Sequence, residues 1–236
     1  MNLLLLTPED CHEPGMARLD GRRLRHVLDV HRARAGETLR VGLLGGLMGE
    51  ARIESLAPEA MLLQFTLDTP PPPKLPLTLL LSLPRPKMLK RIFQTVAAMG
   101  VERLVLMNSF RVEKSFWTSP WLEADAIRDQ LLLGLEQSRD TVLPEIIIEP
   151  LFKPFVEDRL PALVRNTRAL VAHPGAGQPC PVALNQPLTL AIGPEGGFIP
   201  YEVEKFVEAG FEPVHLGARI LRVETAVTAL TARLFA

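Results

Sequence analysis

Tyrosine occurs once (Tyr201) and tryptophan twice (Trp117, Trp121) among 236 residues. So few large rings argue against a protein that grips single strands by stacking successive bases on aromatic platforms. Cysteine is almost as scarce, and Cys11 and Cys180 stand far apart with no metal-ligand spacing. A reduced, cytoplasmic protein is the default expectation. Charge of neither sign is in excess, with a formal net charge of −1. No apolar run approaches the ~20 residues of a membrane-spanning helix. The opening Met1-Asn-Leu-Leu-Leu-Leu6 is apolar but short. Without a basic leader or a small-residue cleavage site, it reads as a first strand rather than a signal peptide. Nucleotide fingerprints are missing too. Gly42-Leu-Leu-Gly-Gly-Leu-Met-Gly49 is glycine-rich, yet neither a helix nor a Lys-Ser/Thr pair follows, as a P-loop requires.

What the chain does have is ample apolar content, 47%, and a change of grammar partway along. Residues 1–69 read as a small β-rich domain. Its expected strands are 3–6, 38–44, 47–56 and 60–67, with a short helix near 24–30 and a Gly45-Gly46 hairpin. A compact barrel is the expected architecture. Pro70-Pro-Pro-Pro-Lys-Leu-Pro76 marks a stiff linker. From residue 77 to 236, strands and helices alternate, which predicts a mostly parallel α/β sheet with helices on both faces.

The most informative stretch is the last fifty residues. Leu188–Ile192 is a short buried-type run, followed by Gly193-Pro-Glu-Gly-Gly197 and then a helix beginning near Pro200. Val214–Leu216, Gly217 and a helix from about Arg222 repeat the pattern. Loops of this kind lie at the carboxyl ends of parallel strands, where α/β proteins bind ligands. Each turn carries charges of a type expected to be buried: Glu195 in the first, Arg222 and Glu224 in the second. From Thr225 to Ala236 the only charge is Arg233, so the final helix should be buried on several sides.

Ile192-Gly-Pro-Glu-Gly-Gly-Phe198 and Leu216-Gly-Ala-Arg-Ile-Leu-Arg-Val-Glu-Thr-Ala226 resemble the cofactor motifs of the SPOUT methyltransferases. Within that superfamily they resemble the small-subunit methyltransferase E enzymes, which methylate N3 of a uridine in 16S ribosomal RNA. Ala218 and Val223 depart from the Pro and Thr of that pattern. Met99-Gly-Val101 lacks an acid, and Arg139 follows Ser138 directly in the Glu136-Gln-Ser-Arg139 segment. Asn108-Ser-Phe-Arg111 and His173-Pro174 match other family segments. The resemblance implies a PUA-like β-barrel that helps bind RNA, a SPOUT domain with a trefoil knot, and S-adenosylmethionine as cofactor, with no metal. It implies a cofactor site of Ala172, His173, Ile192, Gly193, Pro194, Glu195, Gly196, Gly197, Leu216, Gly217, Ile220, Leu221, Arg222 and Ala226.

Uracil N3 must lose a proton before it attacks a methyl group. Glu195 or Glu224 is the expected base, and Arg222 the group that stabilises negative charge or anchors a phosphate. Basic clusters supply candidates for RNA contact. From Arg18 to Arg40 there are seven arginines against three acids, and from Arg85 to Arg91 four bases and no acid. The RNA-facing candidates are Arg22, Arg23, Arg25, Arg85, Lys87, Lys90, Arg91, Arg111 and Arg139. Expected partners are ribosomal RNA or the small ribosomal subunit and a second copy of the chain, with no membrane. In such a homodimer Arg111 or Arg139 serves the partner's site. Two other readings stay open from sequence: a SPOUT-fold RNA-binding protein without catalysis, and an α/β enzyme holding a different adenine nucleotide.

Overall fold

The computed structural model describes residues 2–184 and 186–235. Met1 and Ala236, at the ends of two runs discussed above, lie outside the described residues. Tertiary contacts divide the chain into two units, 1–73 with 131–143, and 74–130 with 144–236.

Six strands build the first unit: β1 (Leu4–Leu6), β2 (Cys11–Glu13), β3 (Met16–Leu19), β4 (Thr38–Leu43), β5 (Met48–Leu56) and β6 (Met61–Thr69). They form a curled sheet in the order β1-β4-β5-β6-β3-β2, antiparallel except for the β1–β4 pair. The pairing of β5 with β6 follows from period-two patterning. Ala51, Ile53, Met61 and Leu63 are buried, while Arg52, Glu54, Leu62 and Gln64 between them face out. Helix α1 (Gly21–His26) runs on into a π-helical turn, Val27–His31. Leu24 and Val27 close the core against Leu6, Leu19, Val41, Ile53 and Met61. Strands β2 and β3 were not anticipated. They are three and four residues long, too short to show a period.

The second unit holds β7 (Leu75–Ser82), β8 (Val101–Met107), β9 (Glu145–Glu149), β10 (Arg168–Ala172), β11 (Leu188–Ile192) and β12 (Glu212–Val214). All six run parallel, in the order β12-β10-β11-β7-β8-β9. Leu77, Leu79, Leu80 and Leu81 are all fully buried, the near-continuous apolar run of a strand covered on both faces. The helices are α2 (Pro86–Ala98), α3 (Ala124–Ser138), α4 (Phe152–Pro154), α5 (Leu160–Val164), α6 (Pro200–Glu208) and α7 (Val223–Leu234). A π-helical stretch, Phe155–Arg159, lies between α4 and α5. In α7, Val223, Val227, Leu230, Thr231 and Leu234 are buried, but Thr225, Thr228 and Ala232 are exposed. Within the chain the helix is therefore covered on one side.

The expected boundaries shift in two places. β7 begins at Leu75, inside the stretch read as linker. Residues 131–143, from the last turns of α3 onward, belong to the first unit. There Glu136, only 2% exposed, accepts two hydrogen bonds from the Arg22 guanidinium, at 2.8 and 2.7 Å. Arg23 forks onto Asp10 at 2.6 and 2.7 Å and also donates to the Leu5 carbonyl at 2.7 Å. These two arginines were expected to face RNA. Their charge is instead used inside the unit, because a planar guanidinium matches a carboxylate in two bonds at once.

Burial works to raise the pKa of Asp10. Hydrogen bonds from Arg23 and the Thr7 amide and the Arg23 charge outweigh it, so the carboxyl sits below its ordinary value. A lowered folded-state pKa contributes stability above the ordinary carboxylate range, which is lost as pH falls through the folded value. Arg23→Ala is expected to cost about 2 kcal/mol in urea unfolding at neutral pH. That deficit should shrink in acid below about pH 4. Arg25→Ala, at an exposed position, should stay within about 0.5 kcal/mol of the parent.

Candidate functional site

Ala172 is in register with both Ile192 and Val214. Strands β10, β11 and β12 thus end level with one another, and their following loops open on the same side. His173 donates its amide to the Val214 carbonyl at 2.9 Å, which ties the first loop to the third. Together the loops enclose a cavity of about 280 Å³.

Local chemistry explains the shape of each wall. A side-chain carbon at Gly193 would lie 2.9 Å from the Phe198 amide nitrogen, so the middle loop folds back tightly enough to require glycine there. Gly217 is different. A side-chain carbon there would meet nothing within 4 Å, but φ is +108°, a conformation other residues rarely adopt. Its amide donates to Nδ1 of His215 at 2.9 Å, which pins the turn. Ile192, Leu216, Ile220, Leu221, Val223 and Leu230 supply apolar lining. Ile220 is 80% exposed, a large apolar side chain at the open rim.

Charged groups reach the cavity from neighbouring elements. Arg111, in the loop after β8, lines it and donates to the Gly196 carbonyl. Glu195 also lines it, and its Oε1 accepts from the Arg85 amide at 3.0 Å. Behind them lies Glu202, 2% exposed, in the first turn of α6. One of its oxygens accepts from the Phe110 amide at 2.7 Å and the other from the Ile199 amide at 3.0 Å. A buried carboxylate at a helix N-terminus is favoured by the local dipole. Here it also fixes the backbone beside Arg111 on the end of α6.

Residues 71–235 match the family model of an RNA methyltransferase domain. The chain belongs to this RNA methyltransferase family. It is 29% identical over 243 residues to ribosomal RNA small subunit methyltransferase E of Treponema pallidum, covering 98% of this chain and 90% of that protein. The Synechocystis protein of the same name is 27% identical, over 98% of this chain and 76% of its own length. A crystal structure of the Neisseria gonorrhoeae methyltransferase E bound to S-adenosylmethionine superposes with a TM-score of 0.75 at 22% identity, over 98% of this chain and 95% of that one. At that identity the match establishes the shared fold.

Thirteen of the fourteen expected cofactor-site residues of this methyltransferase domain line the one cavity. The exception is Arg222, whose side chain is exposed at the N-cap of α7. Of the three catalytic candidates only Glu195 lines the cavity; Glu224 is half-buried in the first turn of α7. Glu195 and Arg222, expected to be buried charges, are both exposed. No ion pair joins Arg222 to Glu224 among the described residues. Pro174, Phe198, Val214, His215, Arg219, Val223 and Leu230 join the lining unannounced. All but Val214, which ends β12 two positions before Leu216, are neighbours of named residues or lie one helical turn away. Arg111 had no such local signal.

The basic candidates separate by partner. Arg111 reaches the cavity of its own chain. Lys90 lies over the Trp121 ring, 4.5 Å from its centroid, a cation–π contact. Arg85 approaches Glu195, with 4.0 Å between Nε and the carboxylate. Arg25, Lys87 and Arg91 are exposed. Arg139 belongs to the first unit.

Removing the Glu202 carboxylate leaves two amides without their acceptor. Glu202→Ala should lower the unfolding free energy by about 2 kcal/mol in urea titration. Glu202→Gln, which keeps one acceptor oxygen, should recover part of that loss.

Proposed function

We propose that the protein is an S-adenosylmethionine-dependent methyltransferase acting on N3 of a uridine in small-subunit (16S) ribosomal RNA. The observation that carries this is the cavity at the level ends of β10, β11 and β12, walled by the very loops that resemble the family's cofactor motifs. Its lining suits an adenosine. Backbone groups at Gly193–Gly197 and His215–Gly217 offer hydrogen bonds, and aliphatic side chains offer walls for the ring. A volume of about 280 Å³ is close to the lower end, roughly 300 Å³, of ordinary small-molecule sites.

When bound, the cofactor supplies an electrophilic methyl group on a sulfonium sulfur. The protein's part is to align acceptor and donor and to manage one proton. Glu195 is the carboxylate we assign to the uracil N3 proton, since it lines the cavity. The Arg111 guanidinium, held by the Gly196 carbonyl, stands ready to stabilise the negative charge left on the pyrimidine. Arg222, outside the cavity, is assigned to a phosphate at its rim, and Glu224 to the first turn of α7.

The same reading gives the first unit a PUA-like barrel and the second a SPOUT trefoil knot. The segment between β10 and β11 supports the knot. Cys180 donates its amide to the His215 carbonyl at 2.8 Å, and Ala183 and Leu184 donate to the Arg233 and Leu234 carbonyls at 3.0 and 2.8 Å. The exposed Thr225, Thr228 and Ala232 side of α7 is the proposed face of a homodimer, small enough for close helix approach. Work on ribosomal subunits sets the protein in the cytoplasm.

Gly193→Ala should reduce S-adenosylmethionine affinity at least tenfold in calorimetry, with the far-ultraviolet circular dichroism retained. Mass spectrometry of small-subunit RNA from cells with and without the gene should show one methyluridine lost. An unchanged methylation map overturns the substrate assignment.

A further inference from the structure

Arg40 and Arg139 both line two adjoining cavities of the first unit. The larger, about 710 Å³, lies on the outward face of the curled sheet. There Thr38, Arg52 and Gln64 form one cross-strand row, and Arg40, Glu50 and Thr66 the next. This cavity is of mixed charge, since Glu50 and Asp68 line it beside Arg40, Arg52 and Arg139. The smaller, about 310 Å³, is lined by Asn2, His31, Thr38, Arg40 and Arg139 among others, and by no carboxylate. Glu50 stands across the strands from Arg40, but neither Arg40 nor Arg139 forms an ion pair with a carboxylate among the described residues, in contrast to Arg22 and Arg23.

The backbone at Arg139 adds a second observation. Helix α3 ends with the Asp140 amide bonded to the Leu135 carbonyl at 3.1 Å, the six-to-one bond of a Schellman cap. Arg139 takes the left-handed position, φ +59°, where glycine is the usual residue. The buried Asp140 carboxylate accepts from the Thr141 and Val142 amides at 2.7 and 3.0 Å and locks the turn. The fold thus holds an unfavourable residue at a rigid cap, on the wall shared by both cavities. Strain of this kind persists where the surroundings enforce it and concentrates at functional sites.

We infer that Arg40 and Arg139, with the Thr38 hydroxyl and the His31 ring beside them, form a seat for phosphodiester groups of the RNA. The inference rests on the reading of the protein as an rRNA methyltransferase and adds a contact remote in sequence from the cofactor loops. Guanidinium pairs suit phosphate oxygens in geometry and charge.

The test uses the full chain and small-subunit ribosomal RNA, with affinity measured across a salt series. Arg139→Gly and Arg40→Gln are each expected to weaken binding about five- to tenfold and to reduce the slope of log affinity against log salt by about 1. S-adenosylmethionine affinity should not move. Arg139→Gly should hold its melting temperature, because glycine suits the cap, so a merely structural role for Arg139 predicts the opposite pattern. Unaltered affinity and slope in both variants overturn the inference and leave the proposed function standing. Wild-type protein that retains no RNA overturns both. Inorganic phosphate, titrated in parallel, distinguishes the other source: binding that depends on Arg139, with RNA affinity unaffected in both variants, identifies a small-anion site and overturns the RNA seat.

Discussion

All six strands of the second sheet point the same way, and most of the site follows from that constraint. Parallel strands bring their carboxyl ends, and the loops after them, to one edge of the sheet. Register then does the finer work: Ala172, Ile192 and Val214 are level, so three loops far apart in sequence start from one line. Glu202 extends the constraint to a fourth segment. By accepting from both the Ile199 and the Phe110 amides, it ties the start of α6 to the chain beside Arg111. A cavity made of loops thereby rests on bonds that are themselves buried.

Arginine has two uses in this chain, separated by the partners it finds. Arg22 and Arg23 face Glu136 and Asp10 in forked pairs, so their charge is already answered within the fold. Arg40 and Arg139 form no ion pair among the described residues and line one cavity without a carboxylate and one of mixed charge. A near-neutral total charge hides this difference, because paired and unpaired charges add alike in the sum. Capacity to bind a polyanion depends on the unpaired ones.

Much of the candidate site was legible in the sequence. Gly193-Pro-Glu-Gly-Gly197 and Leu216-Gly217 carry their meaning locally: a glycine where the chain folds back on an amide nitrogen, and another at a φ that side chains disfavour. Such requirements belong to a few consecutive residues and leave a pattern in them. The same holds for the proline run, the Gly45-Gly46 hairpin and the apolar strand β7. The roles assigned to Arg222, Glu224 and Arg23 were less legible. Residue type announces a charge but not which carboxylate, cavity or solvent it will face.

The sequence by itself determined the α/β grammar of the second unit, the β-rich grammar of the first and the loops that wall the cavity. Each is set by short-range periodicity and by backbone preferences of neighbouring residues. Only the tertiary structure decided that residues 131–143 belong with the first unit, that Arg111 meets the Gly196 carbonyl and that Arg139 shares a cavity with Arg40. Those pairings join residues 85 to more than 100 positions apart in the cases of Arg111–Gly196 and Arg22–Glu136. They arise when the packing of strands and helices brings distant segments together, and no local stretch of sequence carries a record of its eventual neighbours.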